Sequence, residues 1–440
     1  MCTLTAFARM KELGLMQRML VVAPLRVCYK VWPDEIQKWS HLRHLTHSLI
    51  HGEGADGKSI RRKRLGMPAD IHIINSHGVP WLEKHLSHRA RIPWDLIVID
   101  ESTQFKNWSA GRSTALRKLV KRIPKRLILT GTPAPRNLED LFPQIWLLDE
   151  GKALGKDVTT FRENYCLSQV RKTQSNMSFT QRRVAPSMVP ALFHHISPLC
   201  LRLDAKDYLS IPPISFHDVE IDLPAKARNI YQDLEDQLFT MLESGDQRDV
   251  INAAALYSIC RQVASGGIYD NDKKPHTIHH EFDEAVVDLI DELQSKPLMI
   301  AYQFDHEAQR LKQKIKGLHV IHGGMNQKKF NEVIDAWNSG TLNPPYLAVQ
   351  PKTLSFGVNM QYGECADIAW YGPTDCLDDY LQLNARIHRQ GVDHPVRIHR
   401  LRAADTVHGT IWDKTDGKFD VQSNLLQVLR EYAREKRHAS

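Results

Sequence analysis

The sequence predicts an α/β protein built as two parallel-sheet lobes. Helical and strand patterns alternate along the chain, which favours α/β architecture. The strand candidates are short, continuously apolar runs, the pattern of parallel strands buried on both faces. Polar and acidic residues collect just after those runs, at the strand ends where open α/β sheets bind ligands. The 440 residues allow two or three domains at about 150 residues each.

The elements follow in order. Residues 2–14 place Leu4, Phe7, Ala8 and Leu13 at helical spacing and end at Gly14, a helix stop. Met19 to Ala23 is an apolar strand closed by Pro24, and Ile71 to Asn75 is a second. Asp95 to Asp100 is a third strand with acids at its end, and Arg126 to Thr130 is a fourth that runs into Gly131-Thr132-Pro133. The stretch 151–215 is less regular, with a basic loop at 171–176 and Pro212-Pro213 near its end. Helices are expected around Tyr231–Leu242 and Phe282–Leu293. Strands recur at 298–302, 319–322, 346–349, 366–370 and 396–400. Val421, Leu425, Leu426, Val428, Leu429 and Tyr432 mark a closing amphipathic helix. The expected division is lobe one at 1–150, a connection at 151–215, lobe two at 216–420 and a terminal helix at 421–440.

Composition excludes several classes. The longest apolar runs fall far short of the roughly 20 residues a membrane helix needs, and the first residues lack the pattern of a secretory signal. Seven cysteines, odd in number and never spaced C-x-x-C, read as reduced thiols of a cytoplasmic protein without a zinc site. None of the 22 histidines forms an H-E-x-x-H pattern. The net charge of +7 permits a polyanionic partner without identifying one.

Three blocks carry chemistry. Ile97-Val98-Ile99-Asp100-Glu101-Ser102 delivers two acids to the end of a strand. An Asp placed there suits Mg²⁺, which keeps part of its water shell, and an adjacent Glu suits the general base that activates water. The bland alternative is a helix N-terminus with acids favoured by the dipole. Leu129-Thr130-Gly131-Thr132-Pro133 follows the next strand. Far downstream, Gln382, Arg386 and Arg389 recur at helical spacing within Gln382 to Gly391, so that one face could clamp a triphosphate. The alternative there is a solvated basic helix.

In this order the blocks resemble the Swi/Snf-like DNA-dependent ATPases of helicase superfamily 2, in the compact form found in phages and bacteria. Val21 to Val27 with Trp32, Glu35, Lys38 and Trp39 is similar to motif Ia. Asp100-Glu101-Ser102-Thr103 is similar to motif II, departing from the commoner Asp-Glu-Ala/Gly-His. Thr130 to Pro133 is similar to motif III, 201–213 to the start of lobe two, Lys352 to Gln361 to motif V and Gln382 to Gly391 to motif VI.

The resemblance implies two RecA-like lobes with ATP between them and Mg²⁺ on Asp100. It implies water activation by Glu101, and phosphate contacts from Gln382, Arg386 and Arg389, with Arg389 as finger. Thr130, Gly131, Thr132, Gly357 and Asn359 are expected to bind nucleotide or to couple its state to DNA. Arg26, Asn75, Lys352 and Thr353 are expected to touch DNA phosphates without regard to base sequence. The expected activity is ATP hydrolysis coupled to movement on duplex or single-stranded DNA by a monomer in a bacterial or phage-infected cell. A family member that binds DNA without hydrolysing ATP and an RNA helicase are the rival readings.

The family's phosphate loop is expected just before the first helix, because Thr3 to Phe7 resembles the residues that follow its Gly-Lys-Thr. The first lobe is therefore expected to be truncated, with the loop supplied by an upstream segment or a partner. Gly52-Glu53-Gly54-Ala55-Asp56-Gly57-Lys58-Ser59 does fit G-x-x-x-x-G-K-[ST]. It follows motif Ia, where the family order is the reverse, and the segment before it is too polar for a central strand, so it is rejected as the phosphate loop.

Overall fold

A computed structural model describes residues 1–52, 56–131, 133–134, 137–172, 178–201, 211–244, 247–270, 272–354 and 358–416, with only the backbone described within 169–181 and 242–251. The expected helix at 421–436, residues 173–176 of the expected loop at 171–176, residues 202–210, Thr132 and Gly357 lie outside the described residues. The chain forms two compact units. One is Met1–Gln169 with Gln181–Arg202 and Phe356–Val358; the other is Val170–Thr180 with Leu203–Ser355 and Asn359–Ser440.

The first unit holds a parallel sheet of β1 (Met19–Ala23), β2 (His47–Leu49), β3 (Ile71–Asn75), β4 (Leu96–Asp100) and β5 (Lys125–Leu129) in the order β2-β3-β1-β4-β5. Alternation along each strand builds two cores. Met19, Val21 and Ala23 pack on one face with Leu4, Phe7, Trp32 and Ile36. Leu20 and Val22 pack on the other with Leu82, Leu116 and Phe142. Covering both faces is what makes β1 and β4 read as continuous apolar runs, while β3 carries the buried His72 within its apolar run. Four strands were expected here; the fifth is β2, a three-residue edge strand whose polar His47 and Ser48 suit an edge.

A ribbon of β6 (Cys166–Lys172) and β7 (Ser178–Val184) follows. The second unit contains β8 (Ile214–Ile221), a small antiparallel pair of β9 (Gly267–Tyr269) and β10 (Pro275–Thr277), then β11 (Leu298–Ala301), β12 (His319–Ile321), β13 (Tyr346–Val349), β14 (Asp367–Trp370) and β15 (Val396–Ala403). Its main sheet runs β12-β13-β11-β14-β15-β8, all parallel. The strand β8 was not anticipated. Its sequence alternates apolar with charged residues, and it lies along β15 with Ile214 beside Val396. One face of this sheet packs Leu298, Ile300 and Leu401 against Tyr231, Leu238, Phe282 and Val286 of the helices Ala225–Ser244 and Glu281–Glu292.

A charged knot lies inside this second core. Asp283 is fully buried. It accepts from Arg310 Nε at 3.1 Å and from the Tyr371 hydroxyl at 2.6 Å. Arg310 also reaches the Ser265 carbonyl, the Tyr371 hydroxyl at 2.9 Å and His306 Nδ1 at 2.9 Å. Burial, reinforced by Arg310, lowers the His306 pKa to about 3; burial lowers that of His279 to about 4; and burial with Arg261 lowers that of His408 to about 3. A histidine whose folded pKa is depressed contributes stability above its unfolded value near 6.5, and that contribution fades as pH falls toward the folded value. Glu307, raised by burial, acts with the opposite sign as a single group. The urea midpoint of the protein is therefore expected to be level between about pH 7 and 8 and to fall between about pH 6.5 and 4, as measured by tryptophan fluorescence. A midpoint that holds or rises across that interval would contradict neutral burial of the three rings. Among the described residues no helix is long and apolar enough to cross a membrane.

Candidate functional site

The strand β4 carries its apolar residues inward and delivers Asp100 to its carboxyl end, beside Leu129 of β5. Trp32, on the helix Val31–Lys38, donates its indole N–H to Asp100 Oδ2 at 2.9 Å. The next residue turns the chain sharply. Glu101 has φ 55° and ψ 62°, the left-handed region that a residue with a long side chain rarely occupies. Its Oε1 accepts from Thr103 Oγ1 at 2.7 Å and from Thr130 Oγ1 at 3.2 Å. Thr130 follows β5, so the parallel pairing of β4 and β5 is what brings the acidic turn and the Thr130–Pro133 segment together.

Behind this turn, buried Ser102 donates to Gln144 Oε1 at 2.6 Å. Gln144 Nε2 donates to the carbonyls of Pro133 at 2.6 Å and Asp140 at 2.8 Å. The same segment is held by the Asn137 side chain, which accepts from the Glu139 N–H at 3.0 Å. Ion pairs of Lys106 with Asp140 at 3.5 Å and Arg162 Nε with Glu139 Oε1 at 2.6 Å complete it. Cys28 packs nearby, its thiol pKa pushed up by burial and further by the Asp100 charge.

These residues suit Mg²⁺ of one kind. No group of three or more His, Cys, Asp or Glu side chains among the described residues could enclose a metal. A single carboxylate with one oxygen anchored by an indole suits an ion held mainly by water and phosphate oxygens, which is the habit of Mg²⁺.

In the second unit, the helix Leu377–Ile387 carries Gln382 and Arg386. Gln382 Nε2 donates to Asp378 Oδ1 at 2.9 Å. Arg389 was expected on the same helical face, but the helix ends at Ile387 with His388 as its cap. Arg389 instead donates from Nη1 to Asn359 Oδ1 at 2.7 Å. Asn359 is positioned in turn by its carbonyl, which accepts from Asn338 Nδ2 at 2.9 Å. The start of the helix is fixed by Arg261, which bonds Asp375 and donates to the Pro373 carbonyl at 2.7 Å. Lys352 and Thr353 lie in the short helix Pro351–Leu354 after β13, the first exposed and the second buried.

Arg26 sits half-buried in the helix Leu25–Tyr29 that follows β1. Asn75 ends β3 beside Ala23, and Gly78 approaches it so closely that an added Cβ would lie 2.8 Å from Asn75 Oδ1. Gly131 is exposed after β5.

Gly52 and Gly57 of the Gly52–Ser59 motif have a packing role. A Cβ on either Gly52 or Gly57 would stand 2.7 Å from the other's carbonyl oxygen. The helix Gly57–Gly66 starts there after the edge strand β2, with Lys58 and Ser59 exposed.

Sequence reasoning missed Gln144, Arg261 and Asn338. Gln144 left a trace: it is a lone amide inside the apolar helix Leu141–Asp149.

Comparison with known proteins gives a consistent set of relatives. The family model of the SNF2-related domain matches residues 3–264. Protein p41 of Acyrthosiphon pisum secondary endosymbiont phage 1 is 30% identical over 423 residues, covering 93% of this chain and 88% of p41. Protein CHROMATIN REMODELING 5 of Arabidopsis thaliana is 22% identical over 446 residues, and the match covers 94% of this chain but only 24% of that protein. Among solved structures, the Sulfolobus solfataricus SWI2/SNF2 ATPase core in complex with dsDNA aligns with 99% of this chain and 88% of its own, at 17% identity and a TM-score of 0.39.

Proposed function

The chain belongs to the SNF2-related domain family, and on that premise we propose that it is an ATP-driven motor that moves along DNA. Its two parallel sheets are of the RecA-like type that family members carry. The observation that bears most on the proposal is the pair Asp100 and Glu101 at the end of β4, each with its carboxylate already oriented. Asp100 would hold Mg²⁺, which supplies charge neutralisation at the phosphates when bound. Glu101 accepts a proton from the attacking water as the water adds to the γ-phosphorus and the β–γ bridge bond breaks. Thr103 and Thr130 fix the direction of that proton transfer. Thr130 lies at the start of the segment assigned to coupling nucleotide state to DNA, so a movement there turns the base.

On the resemblance, Gln382, Arg386 and Arg389 are assigned to the phosphates, with Arg389 as the finger on the developing negative charge. The bond from Arg389 to Asn359 links that residue to the Lys352–Gln361 segment, where exposed Lys352 suits a phosphate of the tracked strand. DNA is favoured over RNA by the Trp32, Glu35, Lys38 and Trp39 block and by the Arg-Ile-His-Arg-Gln-Gly form of 386–391, both on resemblance.

The test is steady-state ATP hydrolysis, with and without duplex DNA, by residues 1–440 supplied with a segment that carries the family's Gly-Lys-Thr loop. Turnover stimulated by DNA, lost in Asp100→Asn and retained in Lys58→Ala, is the expected result. DNA binding without any turnover would make the chain a binding module. Loss of turnover in Lys58→Ala would move the phosphate site to Gly52–Ser59.

A further inference from the structure

We propose that Gln144 is a positioning residue that locks the acidic turn at Asp100–Ser102 to Pro133 and Asp140, so that they move together. Its consequence for turnover rests on the motor reading above; the lock itself does not.

Gln144 is 1% exposed and sits among Phe142, Ile145, Trp146 and Leu147, all buried. A leucine or methionine would pack there at no polar cost, whereas a buried amide is tolerated only when its hydrogen bonds are made. Gln144 makes them in three directions. It accepts from Ser102 Oγ at 2.6 Å and donates both amide hydrogens, one to the Pro133 carbonyl at 2.6 Å and one to the Asp140 carbonyl at 2.8 Å. The orientation of the amide is dictated by its partners, because two carbonyls can be satisfied only by the NH₂ side. A glutamate at this position would lack the donors, and an asparagine would be one methylene short.

The other end of the lock is equally specific. Ser102 directly follows Glu101, whose left-handed backbone must be held in place by its surroundings. In the commoner form of this acidic motif the residue after Glu is Ala or Gly, which has no hydroxyl to offer. Ser102 and Gln144 therefore form a matched pair. Together with the bond from Thr130 to Glu101 they tie the acidic turn to the following segment on two sides, one in front of the carboxylate and one behind the backbone.

The lock is read by amide hydrogen exchange across 130–140 in Ser102→Ala, Gln144→Met and the double variant. Each single change is expected to speed exchange of that segment about tenfold, the equivalent of about 1.4 kcal/mol, with global unfolding midpoints near wild type. The double variant is expected to match the faster single variant rather than multiply the two, because the residues act through one contact. Unchanged exchange at 130–140 in Ser102→Ala, or effects that multiply in the double variant, would overturn the proposal. Ser102→Ala carries the test alone should Gln144→Met fail to fold. In the ATPase assay the same variants are expected to lower kcat at saturating DNA by about tenfold at a constant KM for ATP, a split that a loss of folded protein would not show with active-site titration. Exchange requires no turnover, so an inactive wild type would end the motor reading while leaving the lock to stand or fall on its own result.

Discussion

Replacing Glu101 by glutamine lowers DNA-stimulated ATP turnover by about 10²–10⁴-fold, the range expected when a general base is lost. The substitution is chosen because almost nothing else changes. Glutamine keeps the side-chain length, and its carbonyl oxygen can accept the same bonds from Thr103 Oγ1 and Thr130 Oγ1 that the carboxylate oxygen accepts. The left-handed backbone at 101 is retained. Asp100 keeps its bond from Trp32, so nucleotide affinity should survive. What disappears is the ability to take a proton. Single-turnover hydrolysis with equilibrium nucleotide binding separates these effects. Turnover within about threefold of wild type, well short of the range for a lost general base, would remove Glu101 from the chemistry.

Replacing Arg310 by methionine destabilises the second unit by about 3–5 kcal/mol, because it strands a buried carboxylate. Asp283 has no exposed surface and shares its two oxygens among Arg310, Tyr371 and His280. Arg310 is also the group that satisfies the Ser265 carbonyl, and an added Cβ on Gly267 would collide with its guanidinium. Methionine fills much of the volume but leaves the charge unanswered. Adding Asp283→Leu to the same protein should recover a large part of the loss, since a buried ion pair replaced as a whole is often nearly neutral. Urea denaturation of the wild type, both single variants and the pair gives the cycle. A loss below about 1 kcal/mol for Arg310→Met would show that the pair is solvated in solution.

The parts of this molecule that were legible in its sequence are those where one physical rule acts alone. Burial of both faces made β1 and β4 plain, because nothing polar interrupts Met19–Ala23 or Leu96–Ile99. The strand β8 escaped because it lies at the sheet edge, where Ser215, His217, Asp218 and Glu220 are tolerated, and because its partner β15 is remote in the chain. Asp100 and Glu101 stood out as acids closing an apolar strand. The hydrogen bonds that orient them did not, since Trp32 and Thr130 reach them only through the sheet order. Helical spacing placed Gln382 and Arg386 correctly on one helix. It failed for Arg389 because periodicity does not report where a helix stops. Gln144 looked like an ordinary polar residue, and its meaning depends on carbonyls that carry no side-chain signal.

The backbone at Glu101 has a consequence for how such a protein can be improved. A left-handed φ costs a residue with a side chain about 1 kcal/mol that glycine would not incur. Selection for thermal endurance alone would therefore push position 101 toward glycine or asparagine, and away from the carboxylate. Robustness and work are antagonists at this one residue, and stabilising the scaffold must proceed elsewhere.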